Sequence, residues 1–144
     1  MTQRFQDWPT RLDRALKESS DEPWRWGFHD CAHFAAHMVE AICGCDLSEG
    51  LPNYKSARGG LGVIRRAGGF IKMIDTSARR FGIEQVPPAF ASRGDPVLAQ
   101  HPDDDIFGLE LGIVDTSGRF IIVAQKIGWA IQPRSAARYA WKIE

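Results

Sequence analysis

The sequence has no excess of charge of either sign. Its 18 lysine and arginine residues balance 18 aspartate and glutamate residues, so the formal net charge at pH 7 is zero. A protein that binds nucleic acid or an anionic lipid surface usually carries a summed positive charge, because that charge attracts phosphates. The balance therefore argues against a nucleic-acid partner.

Cysteine is also scarce, with three residues in 144. Cys31, Cys43 and Cys45 are too few and too unevenly spaced for a disulfide framework, and an odd number leaves at least one thiol over. Structural zinc normally takes four ligands at wider spacing than Cys43-Gly44-Cys45 offers, although a distant residue such as His101 could complete a set. We predict no cofactor, and a reducing compartment is the simpler assumption.

Long apolar runs are absent, and none approaches the ~18 residues of a membrane span. The segment MTQRFQDWPTRLDRAL carries charges and Pro9 where a signal peptide requires an apolar stretch. We therefore expect no signal peptide and no membrane span, with synthesis in the cytoplasm and retention there or loading into a particle. A chain of 144 residues is the usual size for one domain with its own core, so residues 1–144 are predicted to form a single domain.

The pattern changes from helical to strand-like near residue 82. Caps and glycine breaks bound the helical stretches. The first is predicted from Asp7 or Thr10 to about Glu18, and the others at about 30–42, 61–66 and 70–81. From residue 83 the short apolar runs PVLAQ, LELGIVD, RFIIVAQ and WAIQP alternate with turn formers, as in an antiparallel meander. Helices followed by strands indicate an α+β domain.

Cys31 is the residue with the clearest chemical potential. If Asp30 caps the second helix, Cys31 lies in its first turn, where free backbone N–H groups and the helix dipole favour a thiolate. At ~100° per residue, Cys31 shares a stripe with apolar residues, whereas His33 and His37 point the opposite way and cannot serve it as a base. Cys31 is either a nucleophile or a small core residue, since free cysteine is often buried.

Two further groups beside this helix admit both a functional and a structural interpretation. His29, His33 and His37 have helical spacing but lack the acidic partner of an HExxH metal motif, so a solvated polar face is favoured. Trp24 and Trp26 precede the helix and could wall a ligand groove, although large aromatic residues at this place more often belong to the core.

Five stretches of the chain carry a family resemblance. They are WRWGFHDCAHF around Cys31, the glycine-rich middle, the step GDPVL into a strand, the strand LGIV and the closing AWKI. Together they resemble the phage-associated branch of the NlpC-type, papain-like cysteine peptidases. The resemblance covers most of the chain and implies that the central helix, opened by Cys31, packs on a C-terminal antiparallel β-meander or small barrel. Many such proteins are encoded among the tail-tip genes of long-tailed phages.

The resemblance also implies a catalytic pattern that this chain fills only in part. NlpC-type enzymes cleave peptidoglycan stem peptides with a cysteine, a histidine that begins a strand reading roughly His-Val-Gly-Ile, and a polar residue on the next strand. On this chain Glu110 occupies the histidine position and Ile122 the third position. A carboxylate at Glu110 disfavours a Cys31 thiolate by like-charge repulsion. Two of the three roles are therefore unfilled.

Three functions follow from the resemblance. The first is a structural or assembly component of a phage tail tip or baseplate, built on a degenerate peptidase fold and bound to tail-tip or hub proteins. The second is an active peptidoglycan endopeptidase or amidase in which His101 replaces the missing base. The third is a non-catalytic ligand-binding or immunity module that uses the same cleft, with Trp26 and Asp30 lining it. The vacant histidine position favours the first.

The runs RFIIVAQ and WAIQP carry more apolar residues than a sheet with one buried face needs. Excess apolar surface usually marks a contact with a partner. We therefore expect the exposed side of these strands to contact neighbouring proteins, with burial on both faces as the alternative.

Overall fold

The computed structural model describes residues 2–101, 108–115 and 118–144. In these ranges, four α-helices precede six strands that form one sheet. The helices are α1 (Trp8–Ser19), α2 (Cys31–Cys43), α3 (Ala57–Arg66) and α4 (Phe70–Arg79). The strands are β1 (Glu84–Val86), β2 (Pro96–Gln100), β3 (Leu109–Val114), β4 (Phe120–Ala124), β5 (Trp129–Pro133) and β6 (Ala137–Lys142). The α+β prediction is confirmed.

α2 is central to the core because most of its circumference is apolar. Its buried residues are Phe34, Ala35, Ala36, Met38, Val39 and Ile42. Asp30 is the N-cap and accepts a hydrogen bond from the His33 backbone N–H at 2.9 Å. Gly44 ends the helix at φ 77°, a left-handed conformation that favours glycine. None of the helices in the described ranges is both long and apolar enough to cross a membrane.

The strands form the sheet in the order β1-β6-β2-β3-β4-β5, and every pairing is antiparallel. β2 to β5 make the predicted meander, and β6 returns to pair with β2. The sheet is buried on both faces, since Ile122 packs toward the helices and Ile121 and Val123 pack in a second apolar cluster. Burial on both faces therefore accounts for the apolar surplus of RFIIVAQ. On β4 and β5 the exposed large aliphatic or aromatic residues are Phe120 and Ile131.

The third helix begins four residues earlier than predicted. Ser56 is its N-cap and accepts a hydrogen bond from the Gly59 backbone N–H at 3.0 Å. Gly59 and Gly60 both lie inside α3, where a Cβ on Gly60 would come within 3.1 Å of the Tyr54 ring. These glycines let the Tyr54 side chain lie directly on the helix, a contact that sequence periodicity does not reveal.

Candidate functional site

A cavity of about 480 Å³ lies between the start of α2, the helices α3 and α4, and the strands β3 and β4. Apolar side chains make most of its wall, among them Trp24, Trp26, Leu51, Phe70 and Met73. Its polar side chains are Asp30, Cys31, Tyr54, His101, Glu110, Gln125 and Lys126. An apolar cavity of this size with a few convergent polar groups is typical of a ligand-binding site.

The two tryptophans before α2 form one wall of this cavity. Trp24 and Trp26 are half-buried, and their rings meet edge to face with centroids 5.1 Å apart. The Trp24 backbone N–H donates to the Lys126 carbonyl at 2.8 Å, which holds the segment against the end of β4. Both tryptophans line the cavity, and Trp24 also packs against the main core cluster.

Cys31 is the first residue of α2 and is half-buried against β3. Burial raises the pKa of its thiol from the ordinary 9.0 to about 12, and the charges of Asp30 and Glu110 act in the same direction. A backbone hydrogen bond from Leu111 opposes the rise without reversing it. Burial and the two carboxylates thus outweigh the stabilisation of a thiolate that we expected from the start of the helix. The thiol is protonated at neutral pH.

Asp30 is a polar group of the cavity that several hydrogen-bond donors hold in place. Its carboxylate accepts from the Gly27 backbone N–H at 3.0 Å, from the His33 backbone N–H at 2.9 Å and from the Tyr54 hydroxyl. The His33 ring lies with Nδ1 2.9 Å from Asp30 Oδ1. Burial alone would raise the pKa of Asp30, but these hydrogen bonds lower it below the ordinary value. Asp30 is therefore a fixed negative charge next to Cys31.

Tyr54 is the site residue that the sequence reasoning missed. It lies in the loop before α3, and its hydroxyl donates to Asp30 at the cavity wall. Burial and the charge of Asp30 raise the pKa of its hydroxyl. Gly27, at φ 78°, makes room for this loop, since a Cβ there would lie 2.0 Å from the Tyr54 carbonyl oxygen. One signal was available, an aromatic residue followed closely by two consecutive glycines.

The predicted solvated histidine face is wrong for two of its three members. His29 is only 5% exposed and packs edge-on against Phe34, with ring centroids 5.9 Å apart. Burial lowers the pKa of His29. His33 is held by Asp30, whereas His37 is exposed. Among the described residues no group of three or more histidine, cysteine or acidic side chains could hold a metal ion.

The folded sheet brings His101 next to Glu110. His101 follows β2, Glu110 pairs with Ala99 across β2 and β3, and His101 Nε2 lies 3.5 Å from Glu110 Oε2. Glu110 is buried, and both residues line the cavity that contains Cys31. Ile122 is a core residue on β4 and does not line the cavity. The cavity thus brings together five of the six predicted site residues, Trp26, Asp30, Cys31, His101 and Glu110, and Ile122 lies elsewhere.

One protein-family model matches residues 3–143 of the chain. The family is described as a domain of unknown function, DUF6950. The chain belongs to this family. No curated protein sequence matches it. Because the description of the DUF6950 family names no activity, the function has to be argued from the cavity itself.

Two kinds of chemistry are compatible with the cavity of this DUF6950 domain. Binding needs only the apolar wall and the fixed polar groups. Acyl transfer needs a thiolate, a base and a group that orients the base. By residue type, Cys31 could supply the thiolate, His101 the base and Glu110 the orienting group. The protonated thiol of Cys31 and the two carboxylates nearest it favour binding over catalysis.

Proposed function

We propose that this DUF6950 domain is a non-hydrolytic NlpC-like domain that serves as a structural or assembly component of a phage tail tip or baseplate. In this role its cleft binds a partner without cleaving it. The observation that carries the proposal is the surroundings of Cys31, whose thiol lies among carboxylates and has a pKa of about 12.

The electrostatics of Cys31 oppose nucleophilic catalysis. The thiolate is the attacking species, and a thiol with a pKa of about 12 supplies only a fraction on the order of 10⁻⁵ of it at neutral pH. Working cysteine hydrolases stabilise the thiolate with an adjacent imidazolium. At the position that the resemblance assigns to the histidine, this chain instead has Glu110, a further negative charge.

The setting of the proposal comes from the family resemblance and from the surface. The motifs around Cys31 and the step GDPVL resemble the phage-associated branch of the NlpC-type family, whose members are often encoded among tail-tip genes. Phe120 and Ile131 remain exposed on neighbouring strands, which offers a small apolar surface to a neighbouring protein.

The reactivity of Cys31 tests the inactive site directly. We expect iodoacetamide to modify Cys31 of the folded protein only at strongly alkaline pH, and at ordinary thiol pH in urea. Glu110→Gln should lower the pH midpoint of the folded reaction by about one unit, because it removes a nearby negative charge. Peptide mapping by mass spectrometry separates Cys31 from Cys43 and Cys45. Rapid alkylation of the folded wild type at neutral pH contradicts the proposal.

Two further measurements address activity and location. Digestion of muropeptides should give no products, and hydrolysis that is lost in Cys31→Ala would overturn the non-hydrolytic assignment. Mass spectrometry of purified particles should detect the chain. Its absence from particles and from assembly intermediates would reject the structural role.

A second candidate function is a cysteine hydrolase with a relocated base. The observation that favours it is the pair formed by His101 and Glu110, with Nε2 and Oε2 3.5 Å apart in the cavity that contains Cys31. In that arrangement His101 takes the proton of the thiol and Glu110 orients the imidazole. Turnover that both Cys31→Ala and His101→Ala abolish would select this function.

A further inference from the structure

The charge of the chain is balanced overall but uneven along it. Residues 51–83 contain seven basic residues and one acidic residue, Asp75, which is ion-paired with Arg79 at 2.9 Å. All seven basic side chains are exposed: Lys55, Arg58, Arg65, Arg66, Lys72, Arg79 and Arg80. The segment that forms α3 and α4 therefore has a net charge of +6, which the balanced total conceals.

This basic surface borders the apolar cavity. α3 and α4 contribute Val63, Ile64, Phe70 and Met73 to the cavity wall. On one side, Lys72 lines a neighbouring depression that shares Ile64 and Phe70 with the cavity. On the other side, Arg66 and Arg80 line a depression that shares Val63 and Met73. An apolar opening is thus flanked by cations on two sides.

Asp30, Glu110 and Asp75, three of the acidic groups near the opening, are already engaged. Inside the cavity, Asp30 accepts hydrogen bonds from several donors, and Glu110 Oε2 faces His101 Nε2. On the flanks, Asp75 is paired with Arg79. Glu49 lines the same depression as Arg66 and Arg80, and its backbone carbonyl oxygen accepts from the Arg80 guanidinium at 2.5 Å. Arg66 and Lys72 are exposed on the two flanks, and a net positive charge remains there for an anionic partner.

We infer that the cleft binds an acidic segment of a partner protein, with one large apolar side chain of that segment in the cavity and its carboxylates on the basic face of α3 and α4. The inference rests on the proposed function, because it requires a cleft that binds without cleaving. The apolar wall accounts for the anchor, and the flanking cations account for the acidic neighbours by charge complementarity.

A protein segment fits these observations better than a polyanion does. A nucleic-acid strand carries a phosphate at every nucleotide, and the carboxylates of Asp30 and Glu110 inside the cavity repel phosphate. A glycan presents many hydroxyl groups that need hydrogen-bond partners, whereas most of the cavity wall is apolar. An uncharged apolar anchor with acidic residues only outside the cavity avoids both conflicts.

The test uses the whole chain and fluorescein-labelled peptides of glutamate and serine with one central phenylalanine. Matched peptides replace the phenylalanine by alanine or every glutamate by lysine, and binding is followed by fluorescence anisotropy. We expect the acidic phenylalanine peptide to bind most tightly. Its affinity should fall about tenfold or more when salt rises from about 50 to about 300 mM, because exposed charges are screened. It should fall similarly on loss of the phenylalanine.

Variants of the protein locate the binding surface. The double variant Arg66→Glu with Lys72→Glu should weaken binding at least about tenfold. Arg14→Glu, an exposed charge reversal on α1, should leave it unchanged and is the matched control. Ile64→Asp places a charge in the cavity wall and should abolish binding, with urea unfolding used to verify that each variant is folded.

Several outcomes overturn the inference. The first is that the lysine peptide binds as tightly as the acidic phenylalanine peptide, and the second is that Arg14→Glu weakens binding as much as the double variant does. The others are that no peptide binds, or that single-stranded DNA or a peptidoglycan fragment binds more tightly than the acidic peptide. Failure here is distinguishable from failure of the proposed function. Peptides that do not bind, together with an unreactive Cys31 and a chain present in particles, reject only the inference. Hydrolysis of muropeptides rejects the proposed function whatever the peptides do.

Discussion

Asp30 and Cys31 are neighbours at the start of α2, and their surroundings shift their pKa values in opposite directions. Asp30 has hydrogen-bond donors around it, so its pKa falls although it is buried. Cys31 has burial and two carboxylates around it, so its pKa rises to about 12. The charge that caps the helix is therefore one of the charges that keep the thiol protonated.

The acidity of Asp30 leads to a stability prediction. Asp30→Asn should lower the free energy of unfolding by about 2 kcal/mol, because it removes the charge from several hydrogen bonds and offers an N–H group to other donors. Because the pKa of Asp30 is lower in the folded than in the unfolded protein, its ionised form stabilises the fold, fully so above the unfolded pKa of about 3.9. This stabilisation is lost as the pH falls through the pKa of the folded protein. The variant should therefore lose less stability than the wild type at acidic pH.

Urea unfolding at several pH values measures both effects. Asp7→Asn is the matched control, since Asp7 is the N-cap of α1 but makes no side-chain capping bond, and its exposed ion pair with Arg11 contributes little to stability. It should leave the urea midpoint nearly unchanged. An equal loss of unfolding free energy in Asp30→Asn and Asp7→Asn would show that Asp30 has no special role in the network with Tyr54 and His33.

At the scale of elements, α3 shows how two glycines in one helix can have different roles. A Cβ on Gly60 would lie 3.1 Å from the Tyr54 ring, which is held in place by the bond of its hydroxyl to Asp30. A Cβ on Gly62 would meet only the end of the Arg66 side chain, at 3.4 Å. The first glycine makes a close contact possible, whereas the second only weakens the helix.

This difference predicts opposite effects of the same substitution. Gly62→Ala should stabilise the protein by about 0.5–1 kcal/mol, because alanine restricts the unfolded chain and favours the helix. Gly60→Ala should destabilise it, because the Tyr54 ring must move away from its bond with Asp30. Urea unfolding of the two variants decides the matter. Stabilisation by both would mean that Tyr54 moves without cost and does not shape the cavity.

At the scale of the whole molecule, Asp95 joins segments that are distant in the sequence. It is fully buried before β2, and its carboxylate lies 2.7 Å from Arg4 Nη2 and 3.2 Å from Lys142 Nζ. It also accepts from the backbone N–H groups of Ser92 at 2.9 Å and Ile143 at 3.0 Å. One side chain thus connects the first residues, the start of β2 and the end of β6.

Asp95→Asn should lower the free energy of unfolding by about 3–5 kcal/mol, because it leaves the largely buried guanidinium of Arg4 without its counter-charge. Thermal and urea unfolding measure the loss. Asp13→Asn is the control, since Asp13 pairs with Arg93 at the surface and such a pair contributes about 0–1 kcal/mol. A loss of similar size in both variants would contradict the assigned role of Asp95.

The local features of this chain were predictable from the sequence. Asp30, Cys31 and Gly44 define both ends of α2 because capping depends on residues only a few positions apart. The strands β2 to β5 were recognisable because their apolar runs are separated by turn formers. The helix-to-strand change near residue 82 was recognisable for the same reason.

The tertiary structure alone decided the properties of the site. The raised pKa of Cys31 and the place of Tyr54 in the cavity depend on residues tens of positions apart, brought together by sheet register and helix packing. The burial of His29 has the same origin. The pairing of His101 with Glu110 depends on the register between β2 and β3. A short-range pattern can place a cysteine at a helix start, but the charges that surround it are set by the whole fold.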